Sequence, residues 1–291
     1  MEHDERDLHL SHETFRASLL SAQLHVHSHH PSHCCPDEAR FIYSEIFEQR
    51  CYLRHGISVG ASDVIVDCGA NVGLFSLSLL LAAPPPASIT AIEPLPPNCE
   101  LLRRNLALHG GGGGSDGGSS GSNGTPAGGG GGGGSNGGGC AVTVLPVALG
   151  AEAAPSRRFT YYPHMPGNST TQPAEKARLQ AGAMPAVRFA DQHTFECRVL
   201  TVSDVITQHG MRRIDLLKVD VEGSELDVLM GVRPEHWPLI RQVVAEVHDV
   251  DDARGGRVAA VQRLLQAHGF SVTCCRAERP AHNFLMYARR C

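Results

Sequence analysis

The sequence lacks a long apolar run, a basic cluster and a secretory signal, and each absence narrows the class of protein. No stretch approaches the roughly 18 apolar residues of a membrane-spanning helix, so none is expected. The formal net charge is −5 and the basic residues are dispersed, which does not favour a nucleic-acid partner. Residues 1–7 are acidic and no basic-then-apolar pattern follows, so we expect no secretory signal.

Cys-x-x-Cys spacing is also missing, although the chain has ten cysteines. Two pairs are adjacent in sequence, 34–35 and 274–275, and neighbouring cysteines rarely bridge each other. We therefore expect free thiols in a reducing compartment, in the simplest case the cytoplasm, with an organelle left open.

Two segments have compositions that cannot form a core. Residues 1–36 hold nearly half of the 17 histidines, and residues 110–139 hold more than half of the 32 glycines. Both are predicted to be disordered, leaving one domain over 37–291 that the glycine-rich insert interrupts. A Cys/His-rich tract can bind a transition metal, but the leader lacks standard ligand spacing, which favours a solvated tail.

The most informative segment follows an apolar run at 64–66, which ends at Asp67. Gly69 and Gly73 come next, and an apolar helical pattern starts at Leu74. Glycines at such a bend allow a tight turn and a close approach to a ligand, and the Asp67 carboxylate can accept hydrogen bonds from it. The third glycine of the dinucleotide-binding pattern is missing.

A second acid ends the next predicted strand. The mostly apolar run 89–92 leads to Glu93. Its separation from Asp67 along the sequence is close to the roughly 20 residues expected for an acid that binds ribose hydroxyls. Alternatively, both acids only cap the helices that follow them. Ligands of open α/β sheets bind beyond the carboxyl ends of the strands, which favours the binding role.

The whole pattern predicts an α/β fold with a doubly wound, mostly parallel, seven-stranded sheet and an antiparallel C-terminal hairpin. An N-terminal helix from about 37 to 50 is expected to dock on the domain edge or cover the ligand site. The predicted strands cover 64–67, 89–94, 142–148, 214–220, 242–248, 270–275 and 283–288.

Charged residues concentrate at the ends of two of these strands. Lys218, Asp220 and Glu222 alternate, so they would share one face if the strand continued, and Glu246 and His248 alternate likewise. Unpaired charge is costly on a central strand, so these groups should meet a partner, a ligand or a cleft. The alternative is a structural ion network of Lys218, Asp220 and Glu246 that orients loops.

Several ordered motifs closely resemble those of the FkbM-type methyltransferases. The resemblance covers about residues 38–290, apart from the glycine-rich insert. The motifs are 41–47 (FIYSEIF), 52–56 (YLRHG), 64–77 (VIVDCGANVGLFSL), 92–96 (IEPLP), 166–170 (PGNST), 217–225 (LKVDVEGSE) and 246–249 (EVHD).

This resemblance implies an S-adenosylmethionine-dependent O-methyltransferase with a Rossmann-like class I fold, acting on a hydroxyl of a sugar, a polyketide or a similar small molecule. It implies that Glu93 holds the ribose and that Asp220, with residues around the third strand, borders the adenine or the substrate. The residues implied to cradle the amino-acid end of the cofactor are Asp67, Gly69, Asn71 and Gly73.

For catalysis, His248 is the first candidate base, because the pKa of histidine is ordinarily near neutrality, and Asp220 is the second. No spacing demands a metal, so none is predicted. Mg²⁺ held by Asp220, Glu222 and Glu246, with or without His248, is the alternative.

A long interruption at 151–200 contains a loop over 163–170, and a loop of this length in a compact domain is usually a lid or a binding loop. Within and beside it, the candidates for acceptor contacts are Tyr161, His164 and Asn168.

Two other functions fit part of the pattern. A nicotinamide-dependent oxidoreductase would use the same ligand position, but the missing third glycine and the lack of an obvious Tyr-x-x-x-Lys pair count against it. A catalytically silent methyltransferase-fold module that binds partners through its tail is the other alternative.

The topology predicts that the glycine-rich insert is functionally passive. It connects a helix to the next strand, and such loops lie at the sheet edge opposite the ligand. Replacing residues 110–139 with a short turn should leave the affinity for S-adenosylmethionine, measured by calorimetry, unchanged. A large loss of affinity would refute the topology.

Overall fold

The computed structural model describes residues 36–108, 139–180, 185–249, 256–277 and 283–290. The predictions for the leader and the insert lie outside the described residues, except at Pro36 and Gly139. In the described ranges, no helix combines the length and the hydropathy needed to cross a membrane. The seven cysteines in this part of the chain are free thiols.

The central sheet has seven strands in the order β3-β2-β1-β7-β8-β10-β9. The first five pair in parallel, and β10 is antiparallel to both of its neighbours, which confirms the predicted sheet and its C-terminal hairpin. The strands are β1 (Val64–Cys68), β2 (Ser88–Ile92), β3 (Ala141–Leu145), β7 (Leu216–Val219), β8 (Gln242–His248), β9 (Phe270–Arg276) and β10 (Asn283–Arg290).

A second sheet of three strands, in the order β4-β6-β5, lies in the predicted interruption. Its strands are β4 (Ala148–Leu149), β5 (Ala154–Tyr161) and β6 (His193–Leu200). The sequence had placed Ala148 in the third strand of the main sheet, but that strand ends at Leu145. Pro146 follows, and proline cannot donate to a strand ladder, so the chain leaves the main sheet there.

Seven α-helices are described, and a π-helical turn (Ser44–Glu48) extends the first of them. The N-terminal helix predicted for 37–50 is therefore confirmed, with an irregular second half. The helices are α1 (Pro36–Tyr43), α2 (Leu74–Leu80), α3 (Pro96–Leu108), α4 (Pro173–Gln180), α5 (Val202–Gln208), α6 (Glu225–Met230) and α7 (Arg257–Ala267).

The core lies on both faces of the main sheet. Adjacent residues of one strand enter different apolar clusters: Ile65 packs on one face and Val66 on the other, and Val244 and Val243 divide in the same way. Successive side chains of a strand point to opposite faces, so a strand covered on both sides needs apolar residues throughout. This explains the uninterrupted apolar runs in the sequence.

Two glycines shape the bend after β1, and both have left-handed backbone conformations. A Cβ on Gly69 (φ +76°) would lie 1.7 Å from the backbone oxygen of Asp220, and one on Gly73 (φ +90°) would lie 2.4 Å from Leu102. The close approach that these glycines permit is therefore to neighbouring protein segments. It brings the loops after β1 and β7 together.

We predict that Gly69→Ala is much more destabilising than Gly210→Ala, a matched control. Gly210 is also left-handed (φ +58°), but its Cβ would have nothing within 4 Å. The control should lose only the conformational cost of about 1–2 kcal/mol. Gly69→Ala should lose roughly 1–3 kcal/mol more, because backbone must move to relieve the overlap. Urea denaturation measures both, and equal losses would contradict this account.

Candidate active site

A cavity of about 410 Å³ lies at the carboxyl ends of the central strands. Its lining includes Gly69 after β1, Glu93 after β2, Asp220 after β7 and His248 at the end of β8. The volume is within the range of small-molecule sites. Apart from Asp67, which is described below, the acids and the histidine that the sequence placed at one sheet edge line this cavity.

Glu93 is a fixed carboxylate in the cavity wall, only 4% exposed. Its Oε2 accepts the backbone N–H of Asn71 (2.9 Å), and its Oε1 accepts the N–H of Leu95 (3.1 Å) and the amide of Asn98 (3.3 Å). Burial raises its pKa to about 7. Its bonds to Leu95 and Asn98, at the start of α3, show that Glu93 helps to cap this helix, as the alternative interpretation proposed. The same side chain also lines the cavity.

Asp67 is fully buried behind the cavity wall and is not one of the lining residues. It accepts the hydroxyl of Ser76 (2.8 Å) and pairs with the Lys218 ammonium (3.2 Å). This placement corrects the expectation of a direct contact with ligand, because both partners are protein groups. Gly73 likewise packs against Leu102, behind the lining.

Lys218 is the buried cation between the loops after β1 and β7. Its Nζ donates to the carbonyl oxygen of Gly69 (2.9 Å), lies 3.2 Å from Asp67 and 3.7 Å from Asp220, and sits over the Tyr52 ring. Burial disfavours the charged form, but the Asp67 and Asp220 carboxylates outweigh it and raise the pKa of Lys218. The structure therefore contains an ion network around Lys218. Its two acids are Asp220, as predicted, and Asp67, where the sequence analysis expected Glu246.

Glu246 joins the site through Tyr52, which the sequence analysis missed. The Tyr52 hydroxyl lies within hydrogen-bond distance of both Asp220 (2.9 Å) and Glu246 (3.1 Å). The Asn283 amide donates to the other oxygen of Glu246. Burial, followed by the charge of Asp220, raises the pKa of Glu246 to about 7.

His248 is buried between carboxylates. Its Nδ1 lies 3.0 Å from Glu225 Oε1, and its Nε2 lies 3.2 Å from Glu222 Oε2. Burial disfavours the charged ring, but Glu222 and Glu225 more than compensate and raise its pKa to about 10. The surrounding carboxylates therefore favour the protonated ring, and its proton affinity is higher than the near-neutral value expected from the sequence.

Glu222 does not continue the predicted row of charges, because β7 ends at Val219 and Glu222 has a positive φ of 55°. The turn directs its carboxylate to His248 and to the buried ammonium of Lys176, whereas Lys218 faces Asp67. Strand alternation could not have predicted this pairing.

Of the three residues predicted to contact the acceptor, one lines the cavity and two do not. Asn168 lines the cavity from a short 3₁₀ helix, and its amide donates to Glu38 (3.1 Å). Tyr161 packs edge-on against Phe195 in the second sheet, and His164 also lies outside the lining. The lining thus includes one of the three candidates, and acceptor contacts by Tyr161 and His164 stay a prediction.

The N-terminal helix contributes two acids that the sequence analysis missed. Glu38 and Glu45 line the cavity together with Ile42 and Ile46, so this segment does cover the site. Burial is the main cause that raises the pKa of each acid to about 8. Their spacing of seven residues, on the same helix face as Ile42, was the available signal.

We predict that Glu38 makes stability fall as pH rises. Its ordinary pKa of 4.5 is raised to about 8, so its contribution is complete below 4.5 and is lost as pH rises through 8. Relative to Glu38→Gln, the wild-type free energy of unfolding should fall between pH 5 and 8 by up to about 1.4 kcal/mol per pH unit. Urea denaturation over this range measures the difference.

Glu100→Gln is the control, because Glu100 is exposed and pairs with Arg104 across one helical turn. The difference in free energy of unfolding between Glu100→Gln and wild type should barely change with pH. If the difference for Glu38→Gln is equally independent of pH, the raised pKa of Glu38 is contradicted.

Comparison with known proteins finds one family along most of the chain. The model of the methyltransferase FkbM domain matches residues 67–272. The 31-O-demethyl-FK506 methyltransferase FkbM of Streptomyces tacrolimicus is 38% identical over 256 residues, 83% of this chain and 85% of that protein. Methyltransferase sdnD of Sordaria araneosa is 36% identical over 268 residues, 87% and 90% of the two chains.

Among solved structures, methyltransferase FkbM from Methylobacillus flagellatus is similar with a TM-score of 0.47 and 15% identity. The similarity covers 81% of this chain and 46% of that one. The strand order described above, rather than this distant similarity, defines the fold.

Proposed function

Because the chain belongs to the FkbM methyltransferase family, we propose that it transfers the methyl group of S-adenosylmethionine to a hydroxyl oxygen of a small molecule. The observation that carries the proposal is the fixed Glu93 carboxylate in a cavity at the strand ends. The name of the 31-O-demethyl-FK506 methyltransferase supports an oxygen acceptor. The family match favours a methyltransferase over the nicotinamide-dependent oxidoreductase.

The polar groups of one part of the cavity fit the cofactor. Its ribose hydroxyls and its ammonium group are hydrogen-bond donors, and the lining offers acceptor oxygens from the carboxyl groups of Glu93 and Glu38 and from Asn71 Oδ1. Asn71 Oδ1 is buried and has no hydrogen-bond partner within the described structure. A buried acceptor without a donor is costly, so this atom is suited to a ligand.

The apolar part of the lining fits an adenine ring. These side chains come from the ends of β2 and β3 and from the second sheet, and a flat ring can pack against them. They are Ile92, Pro94, Val147, Leu149 and Phe159.

The carboxylate-rich end of the cavity would receive the acceptor. When bound, the cofactor supplies a methyl group that its positively charged sulfur has already activated, so positioning of the hydroxyl contributes much of the rate. We propose that Asp220 accepts the proton of this hydroxyl and that the charged ring of His248 positions the acceptor beside it. Tyr52 and Glu225 hold them in position through the hydrogen bonds described above.

Glu93→Gln should weaken S-adenosylmethionine binding by about 10- to 100-fold, because a hydrogen bond to a charged group contributes roughly 1.5–3 kcal/mol. Isothermal titration calorimetry at pH 8, above the raised pKa of Glu93, measures the effect. Glu100→Gln, an exposed acid on the neighbouring helix α3, should bind as wild type does. Equal affinity of the Glu93→Gln variant would exclude the ribose role.

Asp220→Asn and His248→Ala should keep their affinity for S-adenosylmethionine but lose about 10²–10⁴-fold in methyl transfer. The assay follows label from methyl-labelled cofactor into an extract of hydroxylated metabolites. Wild type that binds the cofactor but labels no metabolite would favour the catalytically silent module. Transfer at the wild-type rate by both variants would overturn the roles of Asp220 and His248.

A further inference from the structure

We propose that the acceptor end of the cavity is a divalent cation site whose protein ligands are Asp220, Glu222 and His248. This inference deepens the proposed function, since the same end of the cavity would receive the hydroxyl. One ligand atom from each of the three residues lies within 4.8 Å of the other two. Opposite ligands of a cation at 2.0–2.6 Å are roughly 4–5 Å apart, so the three atoms can surround one ion with little movement.

The histidine is held as a metal ligand would be. Glu225 is fully buried, and its Oε1 lies 3.0 Å from Nδ1 of His248 and accepts the backbone N–H of Gly223 (2.7 Å). This contact orients the ring so that Nε2 faces Glu222, and a bound cation would take the place of the proton on Nε2. Metal-binding histidines almost always donate their second ring N–H to such a carboxylate, which fixes the tautomer and the ring orientation.

An independent observation comes from Asn283. It lies directly opposite His248 in the β8–β10 ladder, so both side chains stand on the same face of the sheet. Asn283 lines the cavity, is only 6% exposed and donates its amide to Glu246. Its Oδ1, however, is buried with no hydrogen-bond partner in the described structure. A cation, or a water molecule bound to it, would satisfy this oxygen.

The surrounding charges favour a cation as well. Glu45 and Glu246 face the same end of the cavity from the π-helical turn and from β8. The nearby ammonium groups are already engaged: Lys218 with Asp67 and Asp220, and Lys176 with Glu222. The carboxyl groups of Glu45, Asp220, Glu222 and Glu246 outnumber the cationic groups of Lys176, Lys218 and His248, and attraction for a divalent ion is strong in a site partly shielded from water.

The mixed set of carboxylates and imidazole suits an ion that accepts both oxygen and nitrogen, such as Mn²⁺. A cation at this position would bind the acceptor hydroxyl and favour loss of its proton to solvent through Glu246. The new C–O bond then forms as the methyl–sulfur bond breaks, and the electron pair of that bond stays on sulfur. Atoms and charge balance without an oxidant or a reductant.

The test uses the full chain, dialysed against EDTA and titrated with MnCl₂ alone, with free Mn²⁺ followed by electron paramagnetic resonance. Wild type should bind one more Mn²⁺ than Asp220→Asn. Asp191→Asn is the matched control, because Asp191 pairs with a histidine, His193, on the protein surface, and it should bind as wild type does. Any binding by the histidine-rich leader is common to all three proteins and cancels.

Glu225→Gln tests the orientation of His248 without removing a ligand, and should weaken the cavity site by about 10- to 100-fold. Unchanged affinity for S-adenosylmethionine in every variant shows that each is folded. Equal numbers and affinities of bound Mn²⁺ in wild type and in folded Asp220→Asn would overturn the inference.

Methyl transfer separates this inference from the proposed function. If both hold, EDTA stops transfer without affecting cofactor binding, and Mn²⁺ or Mg²⁺ restores it. If protein shown to be metal-free by elemental analysis transfers methyl groups at the full rate, the cation site is overturned, but the proposed methyltransferase function is not. A chain that binds no S-adenosylmethionine, whatever its metal content, would instead overturn the proposed function.

Discussion

The buried ammonium of Lys218 holds together the two loops on which the cavity is built. It contacts the Asp67 and Asp220 carboxylates and the carbonyl oxygen of Gly69, so it ties the end of β1 to the end of β7. Breaking a buried ion pair by removing one partner typically costs about 3–5 kcal/mol, because the other charge is left unpaired. The loops therefore cannot separate without a large loss of stability. Gly69 makes the arrangement possible, since any side chain there would overlap the backbone of Asp220.

Both ends of the proposed site extend from this contact. On one side, the bend that begins at Gly69 carries Asn71, whose backbone N–H binds Glu93 and so aligns the groups proposed for the cofactor. On the other side, Asp220 is in reach of the Tyr52 hydroxyl, which continues the network to the residues proposed for the acceptor. The Lys218 ammonium thus fixes the distance between the cofactor end and the acceptor end of the cavity. In-line transfer between two bound molecules requires such a fixed distance.

The sequence predicted the sheet and its functional edge because both depend on local patterns. Uninterrupted apolar runs mark strands covered on two faces, and parallel strands place their carboxyl ends together. It could not predict which acid faces the cavity. Asp67 faces away from the cavity because Ser76 and Lys218 bind it, whereas Glu93 lines the cavity wall. Lys218 comes from a distant segment of the chain, so local patterns do not reveal this pairing. The charge on His248 was missed for the same reason: it depends on a carboxylate directed by a left-handed turn.

The measurement that tests the central claim most directly is a crystal structure with bound S-adenosylhomocysteine. The account predicts that its ribose hydroxyls bind the Glu93 carboxylate and that its sulfur faces the space between Asp220 and His248. A molecule bound at another surface, or one in this cavity whose ribose makes no contact with Glu93, would contradict it.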